Sequence, residues 1–322
     1  LRKLSIQSTW GTIRFPKIIL GSVQFGTGIE EKKAFSLMNA YADMGGTCID
    51  TASVYGDWED KGEPISERTI GKWLKESGYR HKMMVITKGA HYRLKTPRVS
   101  RVSAVCIAED IEKSLRNLQV DAIDLYFLHR DNPSVPVGEL MPVLHKYVAA
   151  GKIKAIGASN WSIERIREAN MFAVANRLTP FAVSEIQWSL ARFAPGYRAP
   201  EELPGMTETE YEKYRAINIP VFAWSSQAGG VVTRVIENGT DGIDAATRTK
   251  YIGEKTLRRI ENVKRFCAKT GLTPTQAVLS YITCNPLPAA AVIGPSSLEH
   301  LRDSMAAADL DLGGDIVCSL TD

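Results

Sequence analysis

Eight short apolar or β-branched runs, separated by stretches with helical spacing, are the feature that most constrains this chain. The runs fall at residues 17–20, 48–49, 83–87, 122–128, 155–157, 181–186, 220–224 and 290–293, and read as buried strands. Between them, Ala34, Leu37, Met38 and Tyr41 are spaced i, i+3, i+4, i+7, and Leu140, Val143, Leu144 and Tyr147 repeat the pattern. Ala104, Ile107, Ala108, Ile111, Leu115 and Leu118 carry such a stripe through four turns. One apolar face per helix, covering a sheet, is implied. Further helices are predicted over 66–75, 162–176, 255–270, 274–284 and 298–308, with Thr273 as a cap and Pro274 in the first turn. No Pro/Gly/Ser linker or composition shift interrupts the alternation. The pattern predicts an α/β protein, a closed (β/α)8 TIM barrel forming one domain over residues 1–322, rather than a doubly wound sheet. Residues 4–15, LSIQSTWGTIRF, read as an N-terminal β-hairpin at the barrel bottom. The turn-rich stretches 191–207 and 227–253 read as long loops over the C-terminal face.

Composition narrows the function classes. A net charge of +4 on 322 residues, with acids and bases interleaved, gives no footprint for nucleic acid. No apolar run reaches membrane length, and the start LRKLSIQSTWG lacks the apolar core of a signal peptide. Five cysteines form no C-x-x-C pair and none stands at a zinc-ligand spacing with a histidine. Reduced thiols in a cytoplasmic protein without a metal site are expected. The oligomeric state is not legible.

The stretch CIDTASVYG, residues 48–56, ends a strand on Asp50 and places Tyr55 in the loop beyond. Read alone, these residues suit a turn. In a barrel, however, functional groups occupy the carboxyl ends of the strands. The polar residues expected there are Asp50, Lys88, His129, Ser159, Asn160 and Gln187. A lone lysine after a strand is usually solvated, and a lone histidine is usually a satisfied core group. Together with Tyr55 they form a catalytic set. A phenol titrates near ~10, and a neighbouring ammonium lowers that value. A carboxylate holds the lysine, and a histidine N–H orients a carbonyl oxygen. The set is therefore a general acid aimed at a carbonyl. Because no side chain supplies hydride, a nicotinamide cofactor is required.

The chain resembles the aldo-keto reductases over essentially its full length. The matching pieces are GSVQFG (21–26), GGTCIDTASVYG (45–56), ITKG (86–89), DAIDLYFLHRD (121–131), GKIKAIGASNWS (151–162), EIQWS (185–189), VFAWSSQ (221–227) and VIGPSSLEHLRDS (292–304). The resemblance maps the family's acid/base tyrosine to Tyr55, its lysine to Lys88, its aspartate to Asp50 and its histidine to His129. It also implies that Ser159, Asn160 and Gln187 bind the nicotinamide carboxamide and that Trp224 stacks on the ring. Gly21, Ser22 and Asp50 border the cofactor in the same reading, Ser225, Ser226, Gln227 and Ala228 meet its pyrophosphate, and Gly294, Ser296, His300 and Ser304 meet its adenosine end. The segment 294–304 lacks the Arg or Lys usual in relatives that read a 2'-phosphate, offering Pro295, Ser296, Ser297, His300 and Arg302, and Gly229 stands where relatives often carry Arg. A missing guanidinium removes the strongest phosphate reader. The family default remains NADP(H) in preference to NAD(H). Trp58, His91, Tyr92, Trp161 and Trp188 are candidate walls for a small-molecule carbonyl or alcohol substrate. The same fold also serves as channel-associated β subunits, which keep the four catalytic residues and act largely as nucleotide-binding partner modules.

Overall fold

A computed structural model describes residues 1–59, 65–200 and 202–321. The strands are β1 (Lys3–Ser8), β2 (Gly11–Pro16), β3 (Ile18–Gly21), β4 (Cys48–Asp50), β5 (Met84–Gly89), β6 (Leu125–Leu128), β7 (Ile156–Ser159), β8 (Val183–Gln187), β9 (Val221–Trp224) and β10 (Ala289–Ile293). The hydrogen-bonded order is β10-β3-β4-β5-β6-β7-β8-β9, a closed parallel barrel of the (β/α)8 class, with β1 and β2 as a separate two-stranded sheet. Every expected strand is present. The run expected from 122 begins as β6 only at Leu125, because Asp124 is used to tie chain segments together: its Oδ2 accepts from Val85 N at 2.9 Å and from Arg80 at 2.9 Å, and its Oδ1 from Lys154 at 2.7 Å. By internal contacts the chain divides into two compact units.

The unit Ser5–Phe15 with Ile19–Glu185 alternates strands β3 to β8 with α1 (Glu31–Asp43), α2 (Ile65–Ser77), α3 (Ala104–Leu118), α4 (Val137–Ala149) and α5 (Ile163–Ala175). Its strands are buried except at Gly21, which ends β3, and Met84, which starts β5, as parallel strands covered on both faces must be. In α3 the predicted stripe is the buried face: Ile107, Ile111, Leu115 and Leu118 point inward. Ser103 caps its start by accepting from Cys106 N, and Gln119, at φ +54°, ends it. The hairpin lies at the expected end of this unit, since the Trp10 indole comes 3.5 Å from where a Cβ on Gly151 would stand, in the turn leading to β7.

The unit Leu1–Leu4, Pro16–Ile18 and Ile186–Asp322 carries α6 (Glu208–Ile217), α7 (Val231–Asn238), α8 (Ala245–Tyr251), α9 (Glu254–Thr270), α10 (Pro274–Thr283), α11 (Leu298–Ala306) and α12 (Asp315–Thr321), with β9 and β10. The α10 cap is the predicted one, a capping box in which Thr273 and Gln276 satisfy each other's backbone N–H. The stretch 227–253, expected as loop, contains α7 and α8. In α7 the buried residues are β-branched Val231, Val232 and Val235, a poor helical signal, and α8 buries only Tyr251, so no stripe appears. Helices α6 and α12 likewise escaped the periodicity reading, burying one residue and two. The stretch 191–207 has no helix or strand among its described residues; Glu201 lies outside them. No helix among the described residues is long and apolar enough to cross a membrane.

The α2 to α3 packing rests on Gly71, where a Cβ would stand 2.2 Å from the Asn117 carbonyl oxygen and 2.8 Å from Leu118 backbone. Backbone cannot yield there cheaply. Gly71→Ala is expected to destabilise the fold by about 1–3 kcal/mol, read as a lower urea midpoint with an unchanged slope.

Candidate active site

Four chain segments of the first unit deliver ionisable groups to one place. Asp50 is the last residue of β4 and Lys88 the fifth of β5, while Glu185 stands in β8 opposite Ser159 of β7. Tyr55 hangs in the loop after β4. That loop is pinned to its neighbours: Thr51 N donates to Ile86 O at 2.9 Å, Ser53 N to Lys88 O at 2.9 Å, and Ser66 N to Tyr55 O at 3.2 Å. Ser22 fixes the other side, with Oγ donating to Asp50 O at 2.8 Å and pairing with Ser66 Oγ at 2.8 Å. Gly21 pairs with Asp50 across β3 and β4.

Lys88 Nζ is the hub. It donates to Asp50 Oδ1 at 2.7 Å and Oδ2 at 2.6 Å, to Thr51 O at 3.0 Å and to Tyr55 Oη at 3.5 Å. Glu185 Oε1 lies 3.3 Å away as a second carboxylate. Lys88 and Glu185 are each 1% exposed. Burial pulls the ammonium toward neutrality, but Asp50, then Glu185 and Tyr55, outweigh it and hold its pKa above the ordinary lysine value. Two acids on one buried cation cannot both ionise cheaply. Burial raises the Asp50 carboxyl, against the pull of Lys88, and burial with Asp50 repulsion pushes Glu185 up to about 8. Asp50, gripping Lys88 through both oxygens, keeps the charge; Glu185 carries the proton at neutral pH. Its Oε2 is buried without a hydrogen-bond partner.

The expected lowering of the tyrosine pKa does not occur. The Tyr55 phenol is pushed up to about 12, first by burial of its hydroxyl end, with Lys88 opposing and Asp50 and Glu185 adding. Lys88 does pull the phenol down, but burial outweighs it, and Asp50 and Glu185 offset part of its field. Tyr55 is thus fully protonated at neutral pH.

His129 follows β6 with its backbone N on Gly89 O at 2.8 Å. Its ring meets Tyr55 edge-on at 5.9 Å and His91 at 4.8 Å. Burial first, then Arg130, His91 and Lys88, hold its pKa well below the ordinary imidazole value, and Nδ1 has no partner. It is a neutral hydrogen-bonding group at pH 7. His91 and Tyr92 sit beside it, with His91 Nδ1 2.6 Å from Tyr92 O. Ser159 and Asn160 are adjacent: Asn160 Nδ2 donates to Ser159 Oγ at 3.0 Å and His129 O at 3.3 Å, and Asn160 N to Glu185 O at 2.9 Å. Trp161 is packed away, its Nε1 on Arg130 O at 3.0 Å and its ring against Phe181. Trp58 is 44% exposed.

The second unit holds the other expected residues. Gln187 Nε2 donates to Tyr251 Oη at 2.5 Å, and Trp188 Nε1 to Tyr281 Oη at 3.4 Å. Both line a cleft of about 140 Å³ with Arg192, Phe193, Met206 and Lys255. Trp224 ends β9, and its carbonyl accepts from Trp188 N. Four residues after it have positive φ: Ser225 +50°, Ala228 +50°, Gly229 +66° and Gly230 +76°. Such a turn, opening into the N-terminus of α7, is a backbone cradle for an anion, and nothing lies within 4 Å of a Cβ built on Gly229, Gly230 or Gly294. Ser226 Oγ is on Val292 O at 2.8 Å and Gln227 Nε2 on Ser304 Oγ at 3.3 Å. Ser296 Oγ pairs with the exposed His300 at 3.2 Å. The open turn from Ser225 to Gly230, with its backbone leading into α7, is of a kind that can receive a phosphate.

Glu185 is the site residue that sequence reasoning missed. The available signal was an acid inside the apolar run FAVSEI, a charge that a buried strand tolerates only with a partner.

A parallel barrel that brings Asp50, Lys88, Tyr55 and His129 together at its strand ends is an arrangement suited to carbonyl reduction. Comparison gives the family: residues 17–317 match the aldo/keto reductase family model, and the chain belongs to that family and is an oxidoreductase. It is 28% identical over 315 residues, 96% of this chain and 92% of the relative, to "Uncharacterized oxidoreductase YrpG" of Bacillus subtilis (strain 168). It is 27% identical to "Aldo-keto reductase yakc [NADP(+)]" of Schizosaccharomyces pombe, covering 89% of this chain and 81% of that one. At 24% identity, covering 89% and 85%, it resembles a "Probable voltage-gated potassium channel subunit beta" of Oryza sativa subsp. japonica.

Lys88→Met leaves two buried carboxyls without their cation. The fold is expected to lose about 3–5 kcal/mol at pH 8. Acids whose folded pKa is raised are stable while protonated and lose that stability as pH rises. The deficit against wild type should therefore shrink toward pH 5, as urea unfolding at both pH values will report.

Proposed function

We propose that residues 1–322 act as one barrel domain that reduces an aldehyde or ketone with NAD(P)H, or oxidises the corresponding alcohol, using Tyr55 as general acid and base. The observation that carries the reading is the contact of Lys88 Nζ with both Asp50 oxygens and, at 3.5 Å, with Tyr55 Oη, deep in a buried cluster. A bound nicotinamide supplies or accepts the hydride. Ser159, Asn160 and Gln187 hold its carboxamide, Trp224 its ring, Gly21, Ser22 and Asp50 its border, Ser225 to Ala228 its pyrophosphate, and Gly294, Ser296, His300 and Ser304 its adenosine end.

In the reductive direction neutral His129 orients the carbonyl, and Tyr55 delivers its proton to the oxygen as negative charge develops there. A phenol held near 12 remains a competent donor, because the alkoxide formed is a stronger base than a phenolate. Lys88 stabilises the phenolate left behind, and Asp50 keeps Lys88 charged and aimed. His91 and Tyr92, beside His129, border the substrate, with Trp58 and Trp188 as further walls, whereas Trp161, expected as a wall, packs on Arg130 and Phe181 instead. NADP(H) is proposed over NAD(H), a preference supported by the name of the Schizosaccharomyces pombe relative; Ser296, His300 and Arg302 take the role of the missing lysine or arginine. A cytoplasmic setting goes with this reading, supported by five cysteines without a disulfide.

A second reading, a channel-β-subunit-like nucleotide-binding module with weak reductase activity, is favoured by the names of the rice and Arabidopsis thaliana relatives. Native mass spectrometry separates the two. Nucleotide retained through purification in a large assembly supports the module, while exchangeable nucleotide and turnover of a panel of aldehydes, ketoses and keto-glycosides with NADPH or NADH supports the enzyme.

Tyr55→Phe is expected to bind NADPH with wild-type affinity by fluorescence quenching and to lose about 10²–10⁴-fold in turnover. A variant that keeps most of its rate removes Tyr55 from the acid's role.

A further inference from the structure

Every proton that Tyr55 gives away must be replaced, and the groups around it restrict where the replacement comes from. Tyr55 Oη has Lys88 Nζ at 3.5 Å as its ionisable neighbour, and His129 stands edge-on with ring centroids 5.9 Å apart. Asp50 is poorly suited to hold a spare proton, since protonating it weakens two contacts of 2.6 and 2.7 Å to the cation it neutralises. Glu185 differs on each count. It approaches Lys88 through Oε1 alone, at 3.3 Å, and its Oε2 is enclosed without any hydrogen-bond partner. A proton on that oxygen disturbs no protein contact.

We propose that Glu185 is the proton store of the site, returning a proton to Tyr55 through Lys88 after the phenol has protonated the substrate oxygen. The inference rests on the reductase reading above. The Tyr55 O–H bond breaks as the bond to the substrate oxygen forms, leaving a phenolate. A Lys88 N–H then breaks and the Tyr55 O–H re-forms, while the Glu185 carboxyl rotates to turn its O–H onto Lys88 Nζ and passes the proton. Glu185 ends as a carboxylate and is recharged from solvent between turnovers. The electron pair arrives with the hydride of the reduced nicotinamide, so no side chain changes oxidation state. The relay returns Lys88 to its ammonium form and moves the added negative charge from Tyr55 to Glu185, where it stays until solvent restores the proton.

The charged and titratable groups facing Glu185, among the described residues of its unit, are Asp50 and Cys48 on β4, Lys88 on β5 and Tyr55 after β4. The β7 neighbours Ser159 and Asn160 are uncharged. Burial and Asp50 push the Glu185 carboxyl up to about 8, so the store is filled at pH 7 and empties as pH rises through 8.

The test is the pH dependence of kcat for repeated carbonyl reduction by wild type, Glu185→Gln and Glu185→Asp, since the first turnover draws on the Tyr55 proton alone. Wild type should hold a plateau to about pH 7 and fall tenfold per unit above about pH 8. Glu185→Gln should lose roughly tenfold at pH 7 and show no break up to pH 9, whereas Glu185→Asp, which keeps a carboxyl on a shorter arm, should retain one. Carbon-13 NMR of glutamate-labelled protein without nucleotide should contain one carboxyl titrating near pH 8 that Glu185→Gln lacks. A break at pH 8 that survives in Glu185→Gln, or no glutamate titrating above pH 6, overturns the store. If wild type itself reduces no carbonyl with either cofactor, the reductase reading falls first.

Discussion

The ammonium of Lys88 is the constraint around which the first unit is organised. A lysine at 1% exposure loses its charge unless anions are built around it. The anions must come from other strands, because residues on one strand alternate in direction. Asp50 arrives from β4 and Glu185 from β8, each at a fixed register, with a backbone carbonyl of Thr51 completing the shell. Parallel strands at fixed spacing bring these groups within 2.6–3.3 Å of one nitrogen. The loop bearing Tyr55 gains its position from the same strands, through Ser53 N on the Lys88 carbonyl.

Backbone strain gathers at the same ends of the strands. Ala90, after β5, has φ +61°, and Asn160, after β7, has φ +62°. Each is held by a buried partner. Ala90 N donates to Asp110 Oδ2 at 2.9 Å, with Arg101 on the other oxygen of that carboxylate, and Asn160 N donates to Glu185 O at 2.9 Å. Positions of this kind persist where the surroundings over-determine them. Here they turn the chain sharply away from the strand, so that His91 reaches His129 and the Asn160 amide faces Ser159.

Asp50, Lys88 and His129 were legible as polar residues closing apolar runs, and Tyr55 as a phenol one loop beyond. The barrel itself was legible because eight runs alternate with stripes such as Ile107, Ile111 and Leu118. Glu185 was not, because it lies inside its strand and its partners are 97 and 135 positions away in Lys88 and Asp50 (185 − 88 and 185 − 50). Nothing local to FAVSEI says whether its acid faces water or a lysine. Helices α7 and α8 were hidden for a different reason. Val231, Val232 and Val235 favour strands intrinsically, and the seven residues of α8 bury one side chain, so tertiary packing overrides propensity there. The lowering pull of Lys88 on Tyr55 was read correctly, but the net direction was misjudged because burial, the larger effect, is not legible in a loop residue, and Asp50 and Glu185 add to it.

The raised phenol bears on which way the proposed reaction leans. Oxidising an alcohol needs a phenolate to take the hydroxyl proton, and a phenol held near 12 is rarely ionised at neutral pH. Reduction needs the protonated phenol, which is the state the cluster keeps. With Asp50 and Lys88 forming a neutral pair and Glu185 protonated, the buried cluster has no net charge. Removing a proton from Tyr55 then leaves one negative charge next to an ammonium, a state that low dielectric makes costly unless charge also leaves the substrate oxygen in the same step. In the proposed mechanism, proton delivery and charge development on the carbonyl are thereby tied together, and the tie follows from the count of carboxylates around Lys88 rather than from the identity of the acid.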